Sequence, residues 1–142
     1  MKVVLDTNVL ISALIKAGKP RELFFRLAEE KMLILSRQIL EEFLEVAEDP
    51  RVKKYVKVQE TAAFLNSLRD STEVVEVKSK FKAVKEDSDD DVFVNVAYDG
   101  KADYIVSGDK HLLSLGDFRG IKIVTVDEML KILKKANYCS ET

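Results

Sequence analysis

The sequence predicts a three-layer α/β/α sandwich around a central parallel sheet. Three observations carry this reading: five short β-favouring runs, longer segments of helical spacing between them, and glycine or proline at the joins. Strands are expected at residues 2–5, 32–35, 74–77, 104–106 and 121–126, as continuous runs suited to burial on both faces of a sheet. Helices are expected over residues 8–16, 20–30, 37–48, 56–68, 90–98, 110–115 and 126–136, so strand and helix alternate as in βαβ units. Gly18, Pro20, Pro50, Gly100, Gly108, Gly116 and Gly120 all fall at these boundaries. Residues 78–91 form a charged connection. Residues 137–142 are expected to be a loose tail, leaving one domain over residues 1–136.

A chain of 142 residues with 46% hydrophobic content can bury one core of its own and is short for two. Charged residues make up 34%, yet the net charge is only -2, so a polyanion could be held only by a local patch or by bound cations. Cys139 is the only cysteine, which excludes an internal disulfide and the multi-cysteine zinc patterns and agrees with a reducing compartment. The amino-terminal apolar run is too short for a signal-peptide core, and no stretch approaches a membrane span. A soluble cytoplasmic protein is therefore expected. There is no internal repeat or low-complexity segment.

Most of the 25 acidic residues must be solvated, so the useful question is which ones the fold brings together. In an open parallel sheet, sites form beyond the carboxyl ends of the strands. Asp6 follows the run VVL and Asp109 follows YIVSG, which places both there. Each is also ordinary helix-cap chemistry, and for either alone a cap is the commoner role. At about 100° per residue, Asp90 points with Phe93, Val94 and Ala97, while Asp91, Asn95 and Asp99 share the opposite side. A carboxylate aligned with a core face needs a cation or another partner. A plain cap just outside the core fits the same position, and position alone does not separate the two. In the helix over 37–48, Ile39, Phe43, Val46 and Ala47 form one stripe and Glu41, Glu45 and Glu48 lie roughly opposite. Glu42 falls about 40° from Val46, at the stripe's margin, where it either reaches into a cleft or snorkels to solvent. Four converging carboxylates repel one another, and the hard cations Mg²⁺ or Mn²⁺ are the usual remedy. A lone His111 and a lone Cys139 do not make a zinc site, and His111 is expected as an exposed helix residue.

These segments resemble the PIN-domain nucleases, and within them the VapC-like toxins of bacterial and archaeal toxin-antitoxin pairs. The resemblance runs to about Leu133 and is carried by VVLDTNVLISAL, SRQILEEFLEVA and DSDDDVFVNVAYDGKADYIVSGDKHLL. It implies a PIN-like fold in which Asp6, Glu42, Asp90 and Asp109 bind one or two divalent ions. A metal-bound water then attacks an RNA phosphodiester. It also implies a cognate antitoxin and a homodimer. The wheel and the family spacing each choose Glu42 over Glu41, and Asp90 over Asp87, Asp89 and Asp91. Ser107 stands where similar chains often carry threonine, and keeps the hydroxyl for a supporting hydrogen bond. Asn8 either orients the acid or a metal-bound water, or caps the following helix.

The chain has no G-x-x-x-x-G-K-[ST] loop and no G-x-G-x-x-G fingerprint, against nucleoside-triphosphate hydrolysis and dinucleotide binding. Candidate phosphate contacts are Lys16, Lys19, Arg21, Lys110 and the run RVKKYVK at residues 51–57. Three rival readings remain. A phosphoacceptor signalling domain would want an aspartate at the end of a central strand, whereas the middle strands are expected to end in Leu35-Ser36 and Val77-Lys78. A non-catalytic interaction domain could keep the fold, and a housekeeping RNase could carry the same acids. The apolar faces of residues 20–30 and 56–68 exceed what one small core needs, in keeping with a dimer.

Overall fold

The computed structural model describes residues 1–85 and 88–140, with side chains described as far as Ala136. The chain runs β1 (Val3–Leu5), α1 (Thr7–Ile15), α2 (Lys19–Glu29), β2 (Leu33–Ser36), α3 (Arg37–Ala47), α4 (Pro50–Lys53), α5 (Val58–Ser71) and β3 (Thr72–Val75). It continues through a 3-10 turn (Ser88–Asp90), α6 (Asp91–Asp99), β4 (Tyr104–Val106), α7 (Lys110–Leu115), β5 (Asp117–Phe118), β6 (Ile121–Val124) and α8 (Val126–Ser140). The six strands form one sheet in the order β3-β2-β1-β4-β6-β5, parallel throughout except for β5. Right-handed crossovers that step in opposite directions along a sheet lie on opposite faces. The helices from β1 to β3 therefore cover one face, and α6, which returns the chain from β3 to β4, covers the other. This is the expected three-layer α/β/α architecture.

β1, β2 and β4 are almost wholly apolar and buried, as strands covered on both faces must be. On one side, Phe64 stacks on Phe24 at 4.0 Å between ring centroids and meets Phe43 at 5.7 Å, joining α5, α2 and α3. On the other, α6 buries Phe93, Val94, Val96 and Ala97 against β1, β2 and β4. Its end closes on the sheet at Gly100, where a Cβ would stand 2.5 Å from Ile34 Cδ1 and 3.0 Å from Val75 Cγ2, so a larger residue would force the Ile34 side chain to shift.

Several boundaries differ from expectation, each for a local reason. α5 runs directly into β3, so that strand lies at 72–75 rather than 74–77, and as an edge strand it is only half-covered, with Val74 exposed. The short α4 and the two-residue β5 carry too few residues for a periodic signal. β6 ends at Val124 because Thr125 and Glu128 form a reciprocal capping box that starts α8. The backbone of residues 137–140 continues α8 where a tail was expected; residues 141–142 lie outside the described residues. The apolar face of α2 is spent on the core through Leu23, Phe24, Leu27 and Ala28, so it is not left over for a dimer. No helix among the described residues is long and apolar enough to cross a membrane.

The charged connection before α6 is ordered by the helix's polar stripe. Asp91 Oδ1 accepts the Val84 N–H at 2.8 Å, Asn95 Oδ1 accepts the Phe81 N–H at 2.8 Å, and the Asn95 amide donates to the Phe81 carbonyl at 3.2 Å. One turn on, Asp99 accepts the N–H groups of Lys78 and Ser79 at 2.7 and 2.8 Å, together with the Ser79 hydroxyl. Asn95 is thus only 8% exposed, although it faces away from the sheet.

Candidate active site

Strand register sets the centre of the site. Leu5 pairs with Val106, so the next residues, Asp6 and Ser107, leave β1 and β4 side by side. Their backbones stay pinned one step beyond the strands: Asp6 N–H donates to Val106 O at 3.1 Å, and Ser107 N–H to Val124 O at 3.0 Å. The Ser107 hydroxyl, on a fully buried residue, donates to Asp6 Oδ2 and accepts the Asp109 N–H at 2.9 Å. A single hydroxyl therefore ties Asp6 to Asp109 across a separation of more than a hundred residues.

Asp6 and Asp109 do cap helices, as the simplest reading had it, but one use does not exhaust them. Asp6 Oδ1 accepts the Val9 N–H at 2.8 Å, while its other oxygen meets Ser107. Only 3% of Asp6 is exposed; burial, with a smaller push from the Asp109 charge, holds its carboxyl above the usual range despite the hydrogen bonds from Ser107 and Val9. Asp109 Oδ1 accepts the His111 and Leu112 N–H groups at 2.8 and 3.2 Å. Those donors, led by Leu112, hold the Asp109 carboxyl below the usual range, and a hydrogen bond with the Asp90 side chain adds to the effect.

At Asp90 the geometry separates cap from site. It stands at the N-cap position of α6 yet gives no side-chain hydrogen bond to the helix, and its carboxyl engages Asp109 instead. The neighbouring Asp91 is taken by Val84, and Asp87 lies outside the described residues. Asn8 is inside α1, whose cap is Asp6, so the capping role does not fall to it; its backbone N–H supports the Asp6 carboxylate. His111 is half-buried, with Nδ1 3.9 Å from Asp109 Oδ1, rather than the exposed residue expected.

Glu42 lies on the exposed side of α3 and not at a buried margin, because that helix buries fully only Ile39 and Phe43. Its carboxyl is nevertheless raised, by partial desolvation first and then by the charges of Asp89 and Glu45. The adjacent Glu41 is instead engaged by Arg37 at 3.1 Å. Ser107 thus ties the Asp6 carboxylate to the Asp109 backbone, the Asp109 side chain meets Asp90, and Glu42 lies where the Asp89 charge acts on it. No sequence signal singled out Asp89, which lies within a run of acids.

Among the described residues, no three acids, histidines or cysteines are already close enough to hold a metal ion. The donor chemistry nonetheless fits a hard divalent cation: the groups are all carboxylates, Asp6 is buried, and the side chains of Asp90 and Asp109 meet. A hollow of about 610 Å³ between α3, α4 and α5 is lined mainly by apolar residues and by none of the four acids. A second cleft, about 400 Å³, opens beside Ser107 and Asn8.

The sequence model of the PIN domain matches residues 2–111, more than half of the chain. The chain belongs to the PIN domain family. The match spans Asp6, Glu42, Asp90 and Asp109, together with the strands and helices that carry them. PIN domains are generally nucleases and typically use divalent metals. This PIN domain is also similar to an uncharacterised protein of Methanocaldococcus jannaschii, with 37% identity over 120 residues, covering 82% of this chain and 76% of that one. Membership removes the signalling reading, though not on the ground first offered: β1 lies in the middle of the sheet and does end in an aspartate, Asp6.

Proposed function

We propose that the protein is a Mg²⁺- or Mn²⁺-dependent endoribonuclease that hydrolyses RNA phosphodiester bonds in the cytoplasm, as the toxin of a toxin-antitoxin pair. The observation that carries the proposal is the Ser107 bridge. It ties the Asp6 carboxylate at the end of β1 to the Asp109 backbone beyond β4, and Asp90 at the start of α6, hydrogen-bonded to the Asp109 side chain, completes the group. Acids gathered in this way repel an RNA phosphate unless a cation lies between them. Asp6, Asp90 and Asp109 would hold that cation, with Glu42 reaching in from α3. Once bound, a divalent ion supplies a water of lowered pKa and polarises the phosphoryl group.

The remaining work belongs to the protein. Ser107 fixes the orientation of Asp6, and the α7 amides keep Asp109 ionised at neutral pH. No protein nucleophile is required. A cognate antitoxin and a second copy of the chain are the expected protein partners. The exposed Leu44 and Val58, beside the apolar hollow flanking α5, support a covered surface there.

Incubating the purified protein with end-labelled RNA in Mn²⁺, Mg²⁺ or chelator tests the activity. Internal cleavage in either metal, abolished by chelator and by Asp109→Asn, is the expected result. Cleavage undiminished by chelator would overturn the mechanism. Neutralisation of the cleavage by a co-expressed small partner would distinguish a toxin from a housekeeping RNase.

A further inference from the structure

The cleft of about 400 Å³ runs from the acid cluster along α1 to the starts of α2 and α8. Its volume falls within the range of small-molecule sites, enough for one nucleotide unit. Asn8 and Ser12 on α1 supply polar side chains, Ser107 and Gly108 form the end nearest the acids, and no aromatic residue lines it. Such a lining suits a sugar and its phosphates better than a stacked base. Across the mouth, Lys19 Nζ meets Asp127 Oδ1 at 2.8 Å, with both side chains more than half exposed. Exposed pairs of this kind contribute little to stability, so the lysine can change partner at small cost.

Three of the other candidate cations are committed elsewhere. Arg21 donates to the carbonyls of Ala13 and Leu14 at the end of α1 and pairs with Glu60. Within the basic run, Arg51 is held by Asp49 and Lys53 by Glu48. Lys19 alone among the lysines and arginines lines the cleft that adjoins the acids.

We propose that this cleft seats the RNA sugar-phosphate segment flanking the scissile bond, and that Lys19 exchanges Asp127 for a strand phosphate when RNA binds. The proposal rests on the nuclease reading of the adjoining acids. Asp127 then acts as a stand-in for substrate. It holds Lys19 in place in the free protein and competes with RNA for it. Because contacts in the cleft are to sugar and phosphate, binding there is indifferent to base identity.

The test is equilibrium binding of a fluorescein-labelled single-stranded RNA, followed by anisotropy in Mg²⁺. It uses the full chain carrying Asp90→Asn so that the strand is not consumed. Lys19→Gln is expected to weaken binding about three- to tenfold and to flatten the slope of log Kd against log salt by about 0.7, the loss of one phosphate contact on a single strand. Asp127→Asn is expected to tighten binding, and the double variant to behave as Lys19→Gln alone. Lys31→Gln, in the turn leading into β2 at the amino end of the strands, opposite the carboxyl ends where the site lies, controls for bulk charge. The proposal is overturned if Lys19→Gln matches Lys31→Gln, if Asp127→Asn binds more weakly, or if the parent binds no RNA. Cleavage is assayed separately in the protein with Asp90 intact. Absent cleavage with Lys19-dependent binding would remove the nuclease reading and keep the strand seat, and the reverse pattern would do the opposite.

Discussion

Replacing Ser107 with alanine is expected to destabilise the metal-free protein by about 2.5–4 kcal/mol at neutral pH. The figure comes from two hydrogen bonds lost at once: a donor to the Asp6 carboxylate, worth about 1.5–3 kcal/mol because the acceptor is charged, and an acceptor for the Asp109 N–H, worth about 1 kcal/mol. Burial makes the loss hard to recover, since Asp6 is 3% exposed and water cannot readily replace the hydroxyl. The pH dependence has a definite sign. The folded-state pKa of Asp6 is already raised, so its protonated form favours folding. The stability withheld at neutral pH is regained as pH falls through that raised value towards the ordinary carboxylate pKa. Removing the hydroxyl raises the pKa further, so the deficit of the variant should shrink between about pH 7 and pH 4.5. Urea unfolding of both proteins at the two pH values, in chelator, measures it. A loss below about 1 kcal/mol at pH 7, or one equally large at pH 4.5, would refute the view that Ser107 supports an ionised, buried Asp6.

Four further outcomes are expected. Glu42→Gln should lower Mn²⁺-dependent cleavage about 10–100-fold, whereas Glu41→Gln, whose carboxylate faces Arg37, should leave it within about twofold; equal effects in steady-state assays would put the wrong face of α3 in the site. Metal-free Asp90→Asn should melt no lower than wild type, because the amide can still donate to Asp109 while one charge is lost, and Mg²⁺ should raise the wild-type melting temperature more. Excess chelator should abolish cleavage and lower the melting temperature of the metal-bound form. The pKa of Asp99 is lowered: burial raises it, but the bonds from Ser79 and Lys78 outweigh burial. Its stabilisation is therefore complete above the ordinary carboxylate pKa and lost as pH falls through the lowered value, so Asp99→Ala should cost about 1–3 kcal/mol near pH 7 and less in acid, by urea unfolding.

Asp6 and Asp109 could be placed from sequence because an apolar run fixes where a strand stops, and a parallel sheet makes that place an edge. Asp90 was legible only in direction: the wheel pointed it with the core, but whether its carboxyl meets its own helix or Asp109 depends on an approach between distant segments. Glu42 shows the same limit from the other side, since helical phase separated it from Glu41 yet could not tell that α3 leaves it exposed where the Asp89 charge acts on it. Ser107 was marked as a supporting hydroxyl, while its two-way bridge required the β1–β4 register. Asp91, Asn95 and Asp99 were assigned to the side away from the sheet, and that was right. Periodicity says which way a side chain points and nothing about what chain lies over it.

That overlying chain, residues 78–84, is gripped through its main chain and anchored by two of its side chains. α6 takes hold of the N–H groups of Lys78, Ser79, Phe81 and Val84, and of one carbonyl, while the Phe81 ring packs edge-on against Tyr98 and Phe118 and Val84 is buried in the core. Every residue type but one offers the same amide hydrogen. An alanine scan across the segment should therefore be nearly silent at the exposed Lys78, Lys80 and Lys82, and costly at Phe81, at the buried Val84 and at Ser79, whose hydroxyl also bonds. Proline at any of the four donors goes further, because it deletes the hydrogen that the helix accepts. The site's third acid begins the helix that does the gripping. Proline at Lys78, an exposed position where alanine is expected to be silent, should thus loosen the approach to Asp90 through the helix that holds it.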